Sequence, residues 1–105
     1  MLITIQRCFK ENKVLYTMHA REEMKQEEYG TIIEKEVYQA VLNGKIIEMY
    51  ENAQPYPSAL LYGMTSKARP IHTVCAYCKE DDLVIIVTVY QPSPERWVNH
   101  KRRKK

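Results

Sequence analysis

The stretch "PIHTVCAYCKEDDLVIIVTVYQ", residues 70–91, decides the fold. It holds two runs rich in β-branched and aromatic residues, 70–78 and 82–91, joined by the charged "KEDD". A connection this short joins antiparallel neighbours, because parallel strands need a long crossover. The second run is almost continuously apolar, which places it centrally in a sheet. A four-residue loop pairing Cys78 with Leu83 sets His72 opposite Val89. A three- or five-residue loop sets His72 opposite Thr88, diagonal to Tyr90, and only that register makes a His72–Tyr90 site.

Upstream, "SALLYGMT" (58–65) and "KIIEMYE" (45–51) read as two more strands, connected through "SKAR" and "NAQPYP". Earlier still the period becomes helical. Leu2, Ile5 and Phe9 suit a short amphipathic helix, although "LITI" also suits the start of a strand. "VLYT" (14–17) is a brief extended piece. Thr17 caps a helix, "MHAREEMKQEEY", with Glu22, Glu23, Glu27 and Glu28 on its wet face and Gly30 at its end. Thr31 and Glu34 form a capping box. It opens a second helix, "IIEKEVYQAVLNG", with Ile33, Val37, Ala40 and Val41 as its apolar stripe. Asn43-Gly44, a pair suited to positive φ, stops it. The expected fold is α+β, with N-terminal helices packed on one face of a four-stranded antiparallel sheet. Residues 1–98 form one domain and 99–105 a basic tail.

Composition narrows the function. No apolar run approaches the roughly 20 residues that span a bilayer. The N-terminus lacks the apolar stretch of a signal peptide, so a cytoplasmic, non-membrane protein is expected. The three cysteines, Cys8, Cys75 and Cys78, are an odd count and read as reduced, buried thiols. The spacing of His72, Cys75 and Cys78 invites zinc. Strand alternation opposes it, because Cys75 points away from the other two and no second cysteine pair completes four ligands. No metal and no cofactor are expected. The net charge of +3 resides in "KRRKK"; without it, eleven basic residues face thirteen acidic ones. Such a tail either holds a phosphate backbone or an acidic partner, or is simply solvated.

The chain has no acyl-transfer triad, P-loop or dinucleotide fingerprint. His72 enters a strand as a half-buried structural imidazole or as a proton donor or acceptor. Arg69, held extended by Pro70, is a surface ion pair or a guanidinium fork on phosphate. Tyr90 and Trp97 are core-rim aromatics or a stacking platform for an unpaired base. His19 packs at a helix start or serves as a second acid or base. Glu48 and Tyr50 share one strand face.

"TMHAREEM", "EVYQAVLNGKIIEMY", "PYPSALLYG", "ARPIHTVCAY" and "VTVYQPSPERW" occur in that order over residues 17–97. They resemble the bacterial domain-of-unknown-function 4258 family. The resemblance carries His19, Glu48, Tyr50, Arg69, His72, Tyr90 and Trp97 as motif positions, without an established activity. It implies a distant similarity to RelE- and BrnT-type toxins, which act on RNA or ribosomes and are often paired with a small zinc-finger antitoxin. One departure is Glu23 before Met24, where such sequences carry arginine; this removes a cation from any phosphate site on that helix.

Two functions follow as expectations. The first is a RelE/BrnT-like, metal-independent endoribonuclease. Its catalytic set would be His72, His19, Arg69 and Tyr90, and its RNA-binding set Trp97, Arg96, Lys101, Arg102 and Arg103. The second is a non-catalytic protein-binding module, favoured by the acidic helix and by the lack of a basic folded body. A small-molecule enzyme using His72 and Glu48 is a weaker third. Convergence of Arg69, His72 and the tail in one cleft favours the nuclease. Burial of His72 on a backbone partner favours the module.

Overall fold

The computed structural model describes residues 1–104; Lys105, the last residue of the expected tail, lies outside them. Helix α1 (Leu2–Lys10) is followed by strand β1 (Val14–Tyr16), helices α2 (Met18–Gln26) and α3 (Glu34–Leu42), and strands β2 (Lys45–Tyr50) and β3 (Ser58–Met64). Strands β4 (Pro70–Cys78) and β5 (Leu83–Tyr90) complete the meander, and two short strands, β6 (Trp97–Val98) and β7 (Arg102–Arg103), close the chain.

The meander β2–β5 is antiparallel, as the short loops require. The sheet has five strands, however, and is mixed, in the order β1-β5-β4-β3-β2. The extended piece at 14–16 joins it parallel to β5, reached from β5 through no direct turn. It makes β5 an interior strand and leaves β4 at the centre. β6 and β7 form a second, two-stranded sheet.

All three helices cover one face. Ile5, Cys8 and Phe9 of α1, Ala20 and Met24 of α2, and Val37, Ala40 and Val41 of α3 meet Ala59, Leu61, Ile71, Cys75, Val84, Ile86 and Val89 of the sheet. Full burial of a side chain such as Ile5 contributes about 1.5–3 kcal/mol. Gly63 on β3 lets α3 approach closely: a Cβ there would lie 1.8 Å from the Ala40 carbonyl oxygen. Asn43 then ties the two elements, its Nδ2 donating to the Gln39 and Met64 carbonyls at 2.7 and 2.8 Å. Asn43 has φ −108°, so this stop works by side-chain bonding and not by positive φ.

The start of α3 lies two residues later than the Thr31–Glu34 reading. Ile33 is the N-cap, and its N–H donates to Glu36 Oε1 at 3.1 Å. Thr31 instead donates to the Lys25 carbonyl at the end of α2. Because the chain is still extended at 32–33, Ile32 turns into the core and Ile33 is exposed.

A further cluster joins α1 to the β4–β5 turn. Asp82 accepts hydrogen bonds from Arg7, from Lys13 at 3.1 Å and from the Tyr77 hydroxyl at 2.7 Å. These donors, Arg7 first, hold its carboxyl well below the usual range.

Candidate functional site

The face of the sheet away from the helices carries the row Tyr62–His72–Tyr90, one residue each from β3, β4 and β5. Neither simple hairpin register produces it. Cys78 does pair with Leu83, but Val87 is inserted into β5 between Ile86 and Thr88. This bulge shifts the pairing by one and sets His72 directly opposite Tyr90.

The C-terminal segment folds over this row. Asn99 and His100 take φ of 53° and 65°, and Lys101 N–H bonds to the Val98 carbonyl, making a tight turn between β6 and β7. The hairpin is a strap across His72, which is 0% exposed. Trp97 meets the imidazole edge-on with centroids 4.4 Å apart, and Tyr62 and Tyr90 flank it at 5.9 and 5.2 Å. His72 Nε2 lies 2.5 Å from the His100 carbonyl oxygen. A carbonyl only accepts, so Nε2 carries the proton and Nδ1 accepts from the Tyr90 hydroxyl at 3.1 Å. Burial pushes the imidazole pKa down to about 4, against the smaller opposing pull of the backbone acceptor. The ring is therefore neutral near pH 7, and both nitrogens are occupied.

The strap is fastened by Arg103. Its Nε and Nη2 reach Glu48 at 2.8 and 3.1 Å, and its guanidinium lies 4.7 Å from the Trp97 ring centroid. Glu48 also accepts from Tyr50, as the shared strand face allows. The fork from Arg103 lowers the Glu48 pKa. Lys101 sits over the Tyr62 ring.

The expected catalytic set is only partly assembled. His72 and Tyr90 touch, but Arg69 turns to the helix side. There its Nε donates to Gln91 at 2.7 Å, Nη1 to the Thr31 carbonyl and Glu36, and Nη2 to the Gly30 carbonyl. It is a tie between the loop before α3 and the end of β5. His19 stands exposed on α2, 3.4 Å from Glu23.

Of the expected RNA contacts, Trp97 is 4% exposed and leaves no ring face for a base. Arg103 is spent on Glu48, while Arg96 and Arg102 are exposed. Arg96 borders a cleft of about 480 Å³ that also presents Glu23, Glu27, Glu28 and Glu95. Two of these glutamates are not the wet-face residues of the sequence reading. Glu23 accepts from Thr88 Oγ1 and Val89 N–H at 2.8 and 3.1 Å, and Glu27 from Gln91 N–H at 3.4 Å. They serve the edge of β5 beyond the reach of β1.

The sequence reading missed Tyr62 and His100. Tyr62 was findable by pairing "SALLYGMT" with "PIHTVCAYC" across their short loop. His100 acts through its backbone carbonyl, which leaves no residue-type signal.

Cys75 lies in the helix-side core and Cys78 on the opposite side of β4; all three cysteines are free and buried. Among the described residues, no group of three or more His, Cys, Asp or Glu is placed to hold a metal, and no helix is long and apolar enough to cross a membrane.

No curated protein and no solved structure is significantly similar to the chain. A family model described as "Domain of unknown function (DUF4258)" matches residues 16–91, which span helices α2 and α3 and strands β2–β5, and the chain belongs to that family.

Proposed function

We propose that this chain is a non-catalytic protein-binding module. The observation that carries the reading is the state of His72: sealed, neutral and bonded through both nitrogens, with Arg69 committed elsewhere on the other side of the sheet. An acid–base catalyst has to reach its proton within hydrogen-bond distance. This imidazole has no free nitrogen to offer. A phosphate-binding site needs unspent cations; Arg103 and Arg69 are already matched by carboxylates and carbonyls, and exposed Arg96 shares its cleft with four glutamates.

The open face of the sheet supplies surface for a partner. A basin of about 480 Å³ is formed there by Tyr50, Tyr56, Ser58, Val74, Ile85 and Val87. Aliphatic side chains and two tyrosines line it, the kind of pocket that takes an apolar anchor from a partner.

The RelE/BrnT-like toxin rests on the His72–Tyr90 contact. Expression of the wild type and of a His72→Ala, Arg69→Ala double variant in a bacterium decides between the two readings. Translation and total RNA are followed in both. The module predicts unbroken growth and intact RNA with either chain. RNA cleavage and arrest by the wild type alone, at equal soluble levels, would sink it.

A further inference from the structure

The two edges of the sheet are unlike. β2 is blunted: Ile47 bulges out of its ladder, and Lys45 and Glu48 put charge along it. β1 is Val14-Leu15-Tyr16, with neither bulge nor charge. The Lys13 carbonyl accepts from Val84 N–H at 3.0 Å, and Thr17 N–H donates to the Ile86 carbonyl at 3.0 Å. In a parallel ladder, alternate residues of a strand address one neighbour. Lys13, Leu15 and Thr17 therefore face β5, and the N–H and C=O groups of Val14 and Tyr16 point outward. Among the described residues no hydrogen bond from outside the sheet reaches them.

The contrast with β5 is direct. Where β5 extends past β1, Glu23 and Glu27 of α2 take its free N–H groups. Nothing does this for β1. A groove of about 270 Å³ adjoins it instead, lined by Phe9, Val14, Tyr16 and Tyr38 with Glu34 and Lys35 beside them. On the other side of the strand, Leu15 is 57% exposed and Val87 37% exposed.

The geometry points to β1 as the docking edge for an extended segment of a partner protein, added as a sixth strand. This rests on the protein-binding reading and names the kind of partner. Outward backbone groups are matched by another extended backbone and by no compact ligand. Strand alternation then sets the side-chain chemistry. Residues falling on the helix side are apolar or aromatic and enter the groove between Phe9 and Tyr38. The residues between them lie beside Leu15 on the open face.

The test is selection of displayed random peptides on the full chain, followed by amide hydrogen exchange. In the free protein, the Val14 and Tyr16 amides exchange fast while Leu15 is protected. A selected peptide should slow Val14 and Tyr16. Methylating alternate backbone nitrogens of the peptide should abolish binding. Val14→Pro removes one outward N–H and spares the ladder to β5, so it should weaken binding about tenfold; Val14 also packs against the core, so binding is compared well below the variant's own melting temperature. Tyr38→Ala, at a site already 42% exposed, is a second variant that leaves the ladder intact and should also weaken binding.

No binder, or binding indifferent to both variants, overturns the proposal. Protection centred on Val74 and Ile85 overturns it too, while sparing the protein-binding reading. Concentration-dependent protection without peptide means that a second copy is the occupant, and the partner segment is then wrong. RNA cleavage in the growth experiment would remove the reading beneath it, a failure visible separately from these.

Discussion

His72 and Tyr90 face each other across β4 and β5 because Val87 is one residue too many for the ladder. Without the insertion, the register set at Cys78 and Leu83 would put Val89 opposite His72 and carry Tyr90 to the other face. The bulge thus supplies the hydroxyl that satisfies the buried imidazole.

Tyr90→Phe should leave His72 Nδ1 as a buried acceptor without a partner. The expected cost is about 1–3 kcal/mol, measured by urea unfolding at pH 7. No loss would mean that water reaches Nδ1 and that the strap is looser than its contacts imply.

The same imidazole sets a pH window. Its pKa in the folded chain, about 4, lies below the ordinary 6.5, so the unfolded chain binds a proton that the folded chain refuses. This stabilisation is fully present above pH 6.5 and drains away as pH falls towards 4. The whole effect is roughly 3 kcal/mol. His72→Gln should flatten the stability–pH curve in that window. Glu48, whose pKa is lowered, contributes only at more acidic pH. A wild-type curve as flat as that of the variant would refute the buried neutral ring.

Removing residues 99–105 takes away the strap. The His72 midpoint, followed by nuclear magnetic resonance, should rise from about 4 towards 6.5. Trp97 emission should shift to the red as the ring gains solvent. An unshifted midpoint would show that the sheet alone excludes water from His72.

Arg69→Lys should behave as a loss. A lysine supplies one compact charge where Arg69 forks to Gln91, Thr31, Glu36 and Gly30. The expected destabilisation is about 2 kcal/mol by thermal melting, discounted for a side chain that is 17% exposed. If growth and RNA effects changed while stability did not, Arg69 would be a binding residue.

The meander was legible because four runs of strand-forming residues were separated by loops too short for crossovers. The helix face was legible from the period of Val37, Ala40 and Val41. What escaped has physical causes. β1 is three residues long and pairs with a strand about 70 positions away, and no local pattern encodes that. A bulge is one extra residue in an unbroken apolar run, so "VIIVTV" hides it. Ile32 and Ile33 are chemically identical, and only the true helix start decides which is buried. In the site, the sequence offered Tyr90 near His72 only as a diagonal neighbour in a register with His72 opposite Thr88, whereas the bulge pairs the two directly. The closure over His72 was not legible, because a run of arginines and lysines reads as a solvated tail until Glu48 is known to lie beneath Arg103.

The tie between Asp82 and Arg7 bears on the order in which a nascent chain becomes ordered. Within this domain α1 and β1 are made before the other elements, yet their partners, Asp82, Val84 and Ile86, are made some 70 residues later. The amino-terminal segment must therefore wait, its apolar side chains uncovered, until the last long strand has emerged. Vectorial synthesis gives this domain no early resting point, and it folds as a whole only after β5 has emerged.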